Sequence, residues 1–310
     1  MSPGKITQQR VFAYITNQDQ DTLSVLDTRT NRIMKTIRVG QLPNSVAVSP
    51  DGKRIFTTNG AGDSVTIIST GTNLVVQTVK GVGAEPFAVD FSLRRNRYYV
   101  PSFYSGSLFV LDIQTNRVLS EIPVGNGPVG VAVSPDENSV YVTSVGAGIS
   151  IINADTDRVV GTVAEMDSWG IDFSPDGSTY YVNNVGSNSV SMYDARSNKP
   201  LQRTSVGLAP IGIVVSGDGR RVYTANSRSR SVSVIDAATL RIMRTVSVGA
   251  VPFGVAITPD NRTLYVTNFG SSTVSVIDTA TNRVVDTIRT GFNPRGIAIT
   301  PLRLQEAPNG

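Results

Sequence analysis

Glu165 and Asp167 lie in a short stretch, AEMDSWG from Ala164 to Gly170, that also holds the chain's single tryptophan, Trp169. Carboxylates beside an aromatic ring can have shifted proton affinities and exchange protons with a bound molecule. Glu85, in GAEPFA, is a third carboxylate in a similar setting, beside Phe87. These three are the candidate catalytic acids or bases. Phe87, Phe103, Tyr104, Trp169, Phe253 and Phe269, with the cations Arg228 and Arg295, are the candidate ligand-binding residues. Together they suggest metal-free acid–base chemistry on a largely apolar small molecule, with shape and orientation supplying much of the rate. The same side chains would equally serve as solvated loop charges and mutually packed rings, and both readings stay open at this point.

What the chain lacks narrows the chemistry. It contains no cysteine and no histidine. Disulfides, thiolate nucleophiles, histidine bases and zinc sites built on these residues are excluded. No metal and no cofactor is expected. Net charge is +4. The arginines are spread out, with small groups at Arg94, Arg95 and Arg97 and at Arg228 and Arg230. A nucleic-acid surface gathers charge on one face and interleaves aromatics. These two groups are expected on opposite faces as solvated turns, so nucleic acid is not an expected partner.

The elements that must position the candidates repeat along the chain. The clearest copy, from Phe253, reads FGVAITPDNRTLYVTNFGSSTVSVIDTATNRVVDTIRTG. VAIT, LYVTN, TVSVID and RVVDTIRTG are strand-forming runs separated by turn residues. Four short antiparallel strands make one blade of a β-propeller. First strands are expected at Val46, Val89, Val131, Ile171, Ile213, Val255 and Ile297, a period of about 42 residues. Nothing follows the last start to complete its sheet. AYITN from Ala13, TLSVLD from Thr22 and RIMKTIRVG from Arg32 supply the missing strands. The expected fold is therefore all-β: a seven-bladed propeller of four-stranded antiparallel blades. Its ring is closed by the C-terminal innermost strand joining three N-terminal strands. One domain is expected over residues 1–310, with short flexible ends at about 1–9 and 302–310.

YITN at Tyr14, YVTS at Tyr141, YVNN at Tyr181 and YVTN at Tyr265 hold the same place in the unit. With SPDG turns and SVSVIDT-like third strands, the chain resembles the YVTN-repeat seven-bladed β-propellers. The resemblance spans nearly the whole chain. It implies the fold and carries no catalytic signature, because that family is described mostly as binding or surface proteins. Seven-bladed propellers include lyases, which permits the catalytic reading by analogy alone.

An internal repeat separates scaffold from site. The turns SPDG at Ser49, SPDE at Ser134, SPDG at Ser174, SGDG at Ser216 and TPDN at Thr258 recur, as do the DTATN-like turns after the third strands. Both sets are expected to be structural. The loops after the fourth strands share a form, glycine, two variable residues, proline, one variable residue and a small residue. The residue after proline is expected to lean toward the axis, giving a ring of Asn44, Phe87, Val129, Trp169, Ile211, Phe253 and Arg295. The loops after the second strands give another, including Gln18, Phe103 and Phe269. Aromatics at turn tips converging on one mouth suggest a small-molecule site. Asp90 and Asp172 depart from the Ala or Val of other innermost strands, and burial there demands a partner such as a neighbouring backbone amide.

Three functions compete: a small-molecule enzyme, a non-catalytic ligand or peptide receptor using the same mouth, and a protein-interaction scaffold. Departures from the repeat gather at the mouth rather than the rim, which favours the first two. The expected partner is a hydrophobic small molecule. The N-terminus lacks an apolar leader and no window approaches a membrane span, so a cytoplasmic monomer is expected.

Overall fold

A computed structural model describes residues 10–301. The expected flexible ends, 1–9 and 302–310, lie outside the described residues. The described residues form seven four-stranded sheets around one axis, each antiparallel throughout. The first blade joins Pro294–Ile299 to Phe12–Asn17, Thr22–Asp27 and Arg32–Arg38, closing the ring as expected. The second to seventh blades follow in chain order, their innermost strands being Pro43–Val48, Asp90–Ser92, Pro128–Val133, Ser168–Phe173, Pro210–Val215 and Pro252–Ile257.

Six of these innermost strands begin three residues earlier than the apolar runs suggest, at the proline or, in the fifth blade, at Ser168. The residues between, including the ring position, are part of the strand but bulged. Pairing of Pro252 with Asn268 resumes only at Val255 with Val266. The bulge turns the ring residue toward the axis. The third blade is the exception. There Pro101 replaces the Thr of YVTN, and proline has no N–H to give the ladder. Its innermost strand shrinks to Asp90–Ser92, with only an isolated bridge from Pro86 to Ser102.

The four letters of the repeat have separate physical duties. The tyrosine hydroxyl reaches the next blade: Tyr265 Oη donates to Asn31 Oδ1 at 2.8 Å and Tyr141 Oη to Asn198 Oδ1 at 3.0 Å. The valine packs in the core between blades, as Val266 does with Val232 and Val234. The asparagine ties the second strand to the third: Asn268 Nδ2 donates to Thr273 Oγ1 at 3.1 Å and Ser275 Oγ at 2.9 Å. The close of the preceding blade must be glycine at Gly249, because a side chain there would collide with Asn268. The threonine serves the mouth, as described below.

The recurring turns are structural. Ser174 Oγ donates to Asp176 Oδ1 at 2.6 Å, and Ser49, Ser134, Ser216 and Thr258 repeat the contact. Arg94, Arg95 and Arg97 are not free solvated charges. Arg95 pairs with Asp155 and Arg97 with Asp157, each at 2.7 Å, bolting the third blade to the fourth. Among the described residues no helix is long and apolar enough to cross a membrane.

Candidate functional site

The ring residues are held by the blade behind each of them. Thr267 Oγ1 donates to the Arg295 carbonyl at 2.7 Å and accepts from Gly254 N at 2.7 Å. Thr143 makes the same contact to the Trp169 carbonyl, Asn183 Nδ2 donates to that of Ile211 at 2.9 Å, and Thr58 Oγ1 to that of Phe87 at 3.3 Å. Between blades the backbones nearly touch. A Cβ at Gly130 would lie 2.5 Å from the Trp169 carbonyl oxygen, and one at Gly254 would lie 2.5 Å from that of Arg295. Glycine is what allows this approach.

Large and small residues then alternate around the mouth. Phe87, Trp169 and Phe253 come from the third, fifth and seventh blades, with Val129 and Ile211 between them. The Trp169 ring meets Phe87 edge-on at 5.6 Å between centroids and Phe253 at 6.5 Å. Arg295 completes the circle. Its guanidinium carbon lies 4.5 Å from the Phe87 ring centre and 4.7 Å from that of Phe253. Cation–π attraction of this kind contributes roughly 0.5–2 kcal/mol per ring.

The polar side of Arg295 is only partly matched. Nη1 donates to Asn44 Oδ1 at 2.6 Å. Asn44 is fixed by Gln18 Nε2 at 2.9 Å and by its own bond to the Pro86 carbonyl at 3.0 Å. The Arg295 Nε is buried and has no hydrogen-bond partner among the described residues. No carboxylate there lies within ion-pair distance of it. Burial pushes the guanidinium down to about 10, with the Glu85 charge acting the other way, so it remains a cation at neutral pH.

The ring residues other than Arg295 border an axial cavity of about 220 Å³. Its deeper wall is a belt of β-branched residues, Val89, Val131, Ile171, Ile213, Val255 and Ile297, and its polar corner is Asn44 and Ser45. Arg295 reaches that corner through its bond to Asn44. Beside the mouth Phe103, Tyr104, Asn126 and Val145 line a second hollow of about 370 Å³. The two are joined by aromatic contacts. Phe103 meets Tyr104 edge-on at 5.1 Å and Phe87 at 6.2 Å. A continuous track of rings thus runs from Tyr104, 77% exposed, to the axis.

The other candidates sit elsewhere. Phe269 opens a short 3-10 turn and borders neither cavity. Arg228 is exposed on a neighbouring loop and borders neither. Glu165 does not face the mouth. Its carboxylate is buried against the third and outermost strands of the fifth blade, where it accepts from the Tyr193 hydroxyl and pairs with Arg203 Nη2 at 2.5 Å. Asp167 is exposed at the loop tip. Glu85 alone of the three stands near the cavity, half-buried and close enough for its charge to act on Arg295.

Asp167 and Glu85 share a backbone duty. Each has a left-handed φ, 56° and 53°, as do Leu42, Ala209, Val251 and Asn293 at the equivalent place in other blades. In each case the carbonyl accepts from the loop after the following second strand, for example Phe103 N to Glu85 O at 2.9 Å. These turns set the ring residue that follows them by two positions. Asp90 and Asp172 find the expected backbone partners. Asp90 accepts from Phe91 N and from Val133 N of the next blade, and Asp172 from Phe173 N and Val215 N. Burial outweighs these bonds and pushes Asp90 up to about 6 and Asp172 to about 7.

Two participants are not among the candidate ligand-binding residues, Asn44, read from the sequence only as a ring position, and Thr267. Asn44 orients Arg295, and Thr267 holds its backbone. The signal for both was positional: Asn44 is the one amide in the ring, and Thr267 precedes Arg295 by one blade in the YVTN register.

Residues 174–301 match the YncE-like β-propeller family. The chain is 32% identical over 124 residues to the seven-bladed β-propeller protein Rv1057 of Mycobacterium tuberculosis, covering 38% of this chain and 31% of that protein. It is 29% identical over 173 residues to the YncE protein of Salmonella typhi, covering 53% of this chain and 48% of the relative. The matches thus span less than half the length of these curated relatives. Among solved structures, a functionally unknown protein from Desulfotomaculum acetoxidans superposes with a TM-score of 0.83 at 20% identity, over 94% of this chain and 99% of the other. That likeness shows the fold alone. The closed ring of seven four-stranded blades makes this chain a seven-bladed β-propeller, similar over residues 174–301 to the YncE-like β-propeller family.

Proposed function

We propose that the mouth binds a small, largely apolar molecule, held along the aromatic track and entering the axial cavity. The observation that carries this reading is the unbroken run of rings from exposed Tyr104 through Phe103 and Phe87 to Trp169 and Phe253. Plugging a channel needs only a compact apolar ring, which Val129 and Ile211 already begin. It does not need a track that continues outward to a hollow on the surface. Loop tips on the same face add exposed apolar groups, Leu42, Met166, Leu208, Val251 and Phe292. Exposed apolar surface gathered around a concavity supports a binding role.

The geometry favours binding over turnover. Of the carboxylates that a lyase or cyclase would use, Glu165 is committed to Arg203 and Tyr193. Asp167 is exposed at its loop tip, which leaves Glu85 as the one of these three whose charge acts on the mouth. A receptor needs no more than the track and the polar corner.

Native mass spectrometry of the purified chain, after incubation with a small-molecule extract of its host, tests the proposal. A specific mass retained by the wild type and lost in Trp169→Ala, with both melting alike, is the expected result. Retention of nothing small by the wild type contradicts it. A retained mass that changes with time, and stops changing in Glu85→Gln, would establish catalysis.

A further inference from the structure

We propose that the ligand carries a carboxylate, and that Arg295, set by Asn44, is the residue that receives it. This rests on the reading of the mouth as a ligand site and adds the chemical class of the group bound at its inner end.

Arg295 is the residue in the mouth whose needs the described protein does not meet. A guanidinium offers five N–H donors in a fixed plane. Here one bond to Asn44 is made, and Nε is buried without a partner. Burying a cation without a counter-ion is costly, and buried charges in proteins are normally paired. The Phe87 and Phe253 faces stabilise the charge and clamp its plane, but rings accept no N–H bonds in that plane. The other arginines that reach between blades show what a structural arginine looks like here. Arg97 ends on Asp157 and Arg203 on Glu165, while Arg54 donates to the Ile113 carbonyl. Arg295 alone of these packs on residues that line the axial cavity, Phe87, Phe253 and Asn44, and the deeper wall of that cavity is aliphatic.

A planar anion satisfies what is missing. A carboxylate accepts two parallel N–H bonds from a guanidinium edge, and the clamp holds that edge ready. The aliphatic belt then takes an apolar body, and at about 220 Å³ the cavity suits a small acid rather than a drug-sized one. Glu85 is the opposing group. Its charge acts on Arg295 without pairing with it, so it weakens the pull on an incoming anion.

The test uses the full chain and matched pairs of probes: benzoate with benzamide, phenylacetate with phenylacetamide, and inorganic phosphate and chloride. Binding is read by calorimetry and by the rise in melting temperature. The acids are expected to bind at least about tenfold more tightly than their amides, the usual worth of a charged hydrogen-bonded pair. Arg295→Met should erase that difference and still fold, since it loses the two ring contacts and the bond to Asn44 but also a partly buried charge that has no counter-ion. Glu85→Gln, a loop change, should tighten acid binding about threefold.

Equal binding of acid and amide by the wild type overturns the carboxylate while leaving the ligand site standing. Binding of neither overturns both. Arg295-dependent binding of phosphate or chloride without the acids also overturns it, in favour of an inorganic anion. Should Arg295→Met fail to fold, Glu85→Gln decides: unchanged acid affinity in that variant counts against the proposal.

Discussion

The guanidinium of Arg295 stacks on the ring of Phe87, 4.5 Å from its centre, although the two come from the first and third blades. They meet because the second blade places a small residue, Asn44, between them, and Asn44 accepts from the same arginine. The mouth is thus built by alternation of size around the ring. Its shape depends on how firmly each blade holds the ring residue of the next.

Thr267→Val tests that dependence. The change keeps the shape but leaves the Arg295 carbonyl and the Gly254 N–H without their partner. A loss of about 1–3 kcal/mol in unfolding free energy is expected from denaturant titration. Ligand affinity should fall as well, since Arg295 loses its anchor. An unchanged midpoint and affinity would show that the threonine does not position the ring.

Glu165→Gln separates scaffold from catalysis. The pair with Arg203 and the bond from Tyr193 place this carboxylate in the packing between the fourth and fifth blades. Its loss should lower stability by about 1–3 kcal/mol and leave ligand capture intact. Lost ligand binding in a variant of normal stability would return Glu165 to the site.

Much of this was legible in the sequence because the propeller is written as a repeat. Strand order, the closing of the ring and the ring position after proline all follow from register alone. The fate of individual side chains does not. Glu165 and Asp167 are two residues apart in one irregular loop, yet Glu165 turns outward to partners on strands read much later in the chain, while Asp167 stays at the tip. Phe269 repeats the position of Phe103, and Phe253 that of Phe87, yet Phe269 opens a 3-10 turn and makes no ring contact like that of Phe103 with Phe87. Repeats specify where a backbone goes, and what a side chain meets depends on the adjoining copies.

Close approach between blades gives a contrast in stability. A Cβ at Gly212 would collide with the Phe253 carbonyl, which belongs to the next blade's backbone and cannot yield. Gly212→Ala should cost about 1–3 kcal/mol or more. In Gly161→Ala the new Cβ would meet Ile151 Cδ1 at 3.6 Å, ordinary contact. That variant should be neutral or more stable by about 0.4–1 kcal/mol. Equal costs in thermal unfolding would contradict the inter-blade constraint.

Acidity should act on the fold in two directions. Asp90 and Asp172 titrate at about 6 and about 7 in the folded chain, against an ordinary 3.8, because burial penalises their charge. The folded chain therefore holds protons that the unfolded chain has released. Their stabilising contribution is fully present below 3.8 and is lost as pH rises through 6 to 7. Asp194, Asp236 and Asp278 act oppositely. Hydroxyl bonds from Ser197, Thr239 and Thr281 hold them below the ordinary value, so their contribution is present above it and lost on acidification. Melting temperature should be highest in mildly acid buffer and decline toward neutrality, and Asp172→Asn should flatten that decline. A wild type that gains stability steadily from pH about 5 to about 8 would contradict this.

The most direct measurement of the central claim uses the single tryptophan, because Trp169 stands in the mouth itself and reports on nothing else. Its emission would be recorded while small aromatic and aliphatic molecules, acids and neutral analogues alike, are titrated into the wild-type protein. A saturable change in intensity or wavelength, lost in Arg295→Met for the acids, is the predicted result. Emission that no probe alters, with equal quenching by acrylamide before and after each addition, would mean that the mouth is a sealed plug and that the propeller acts through another surface.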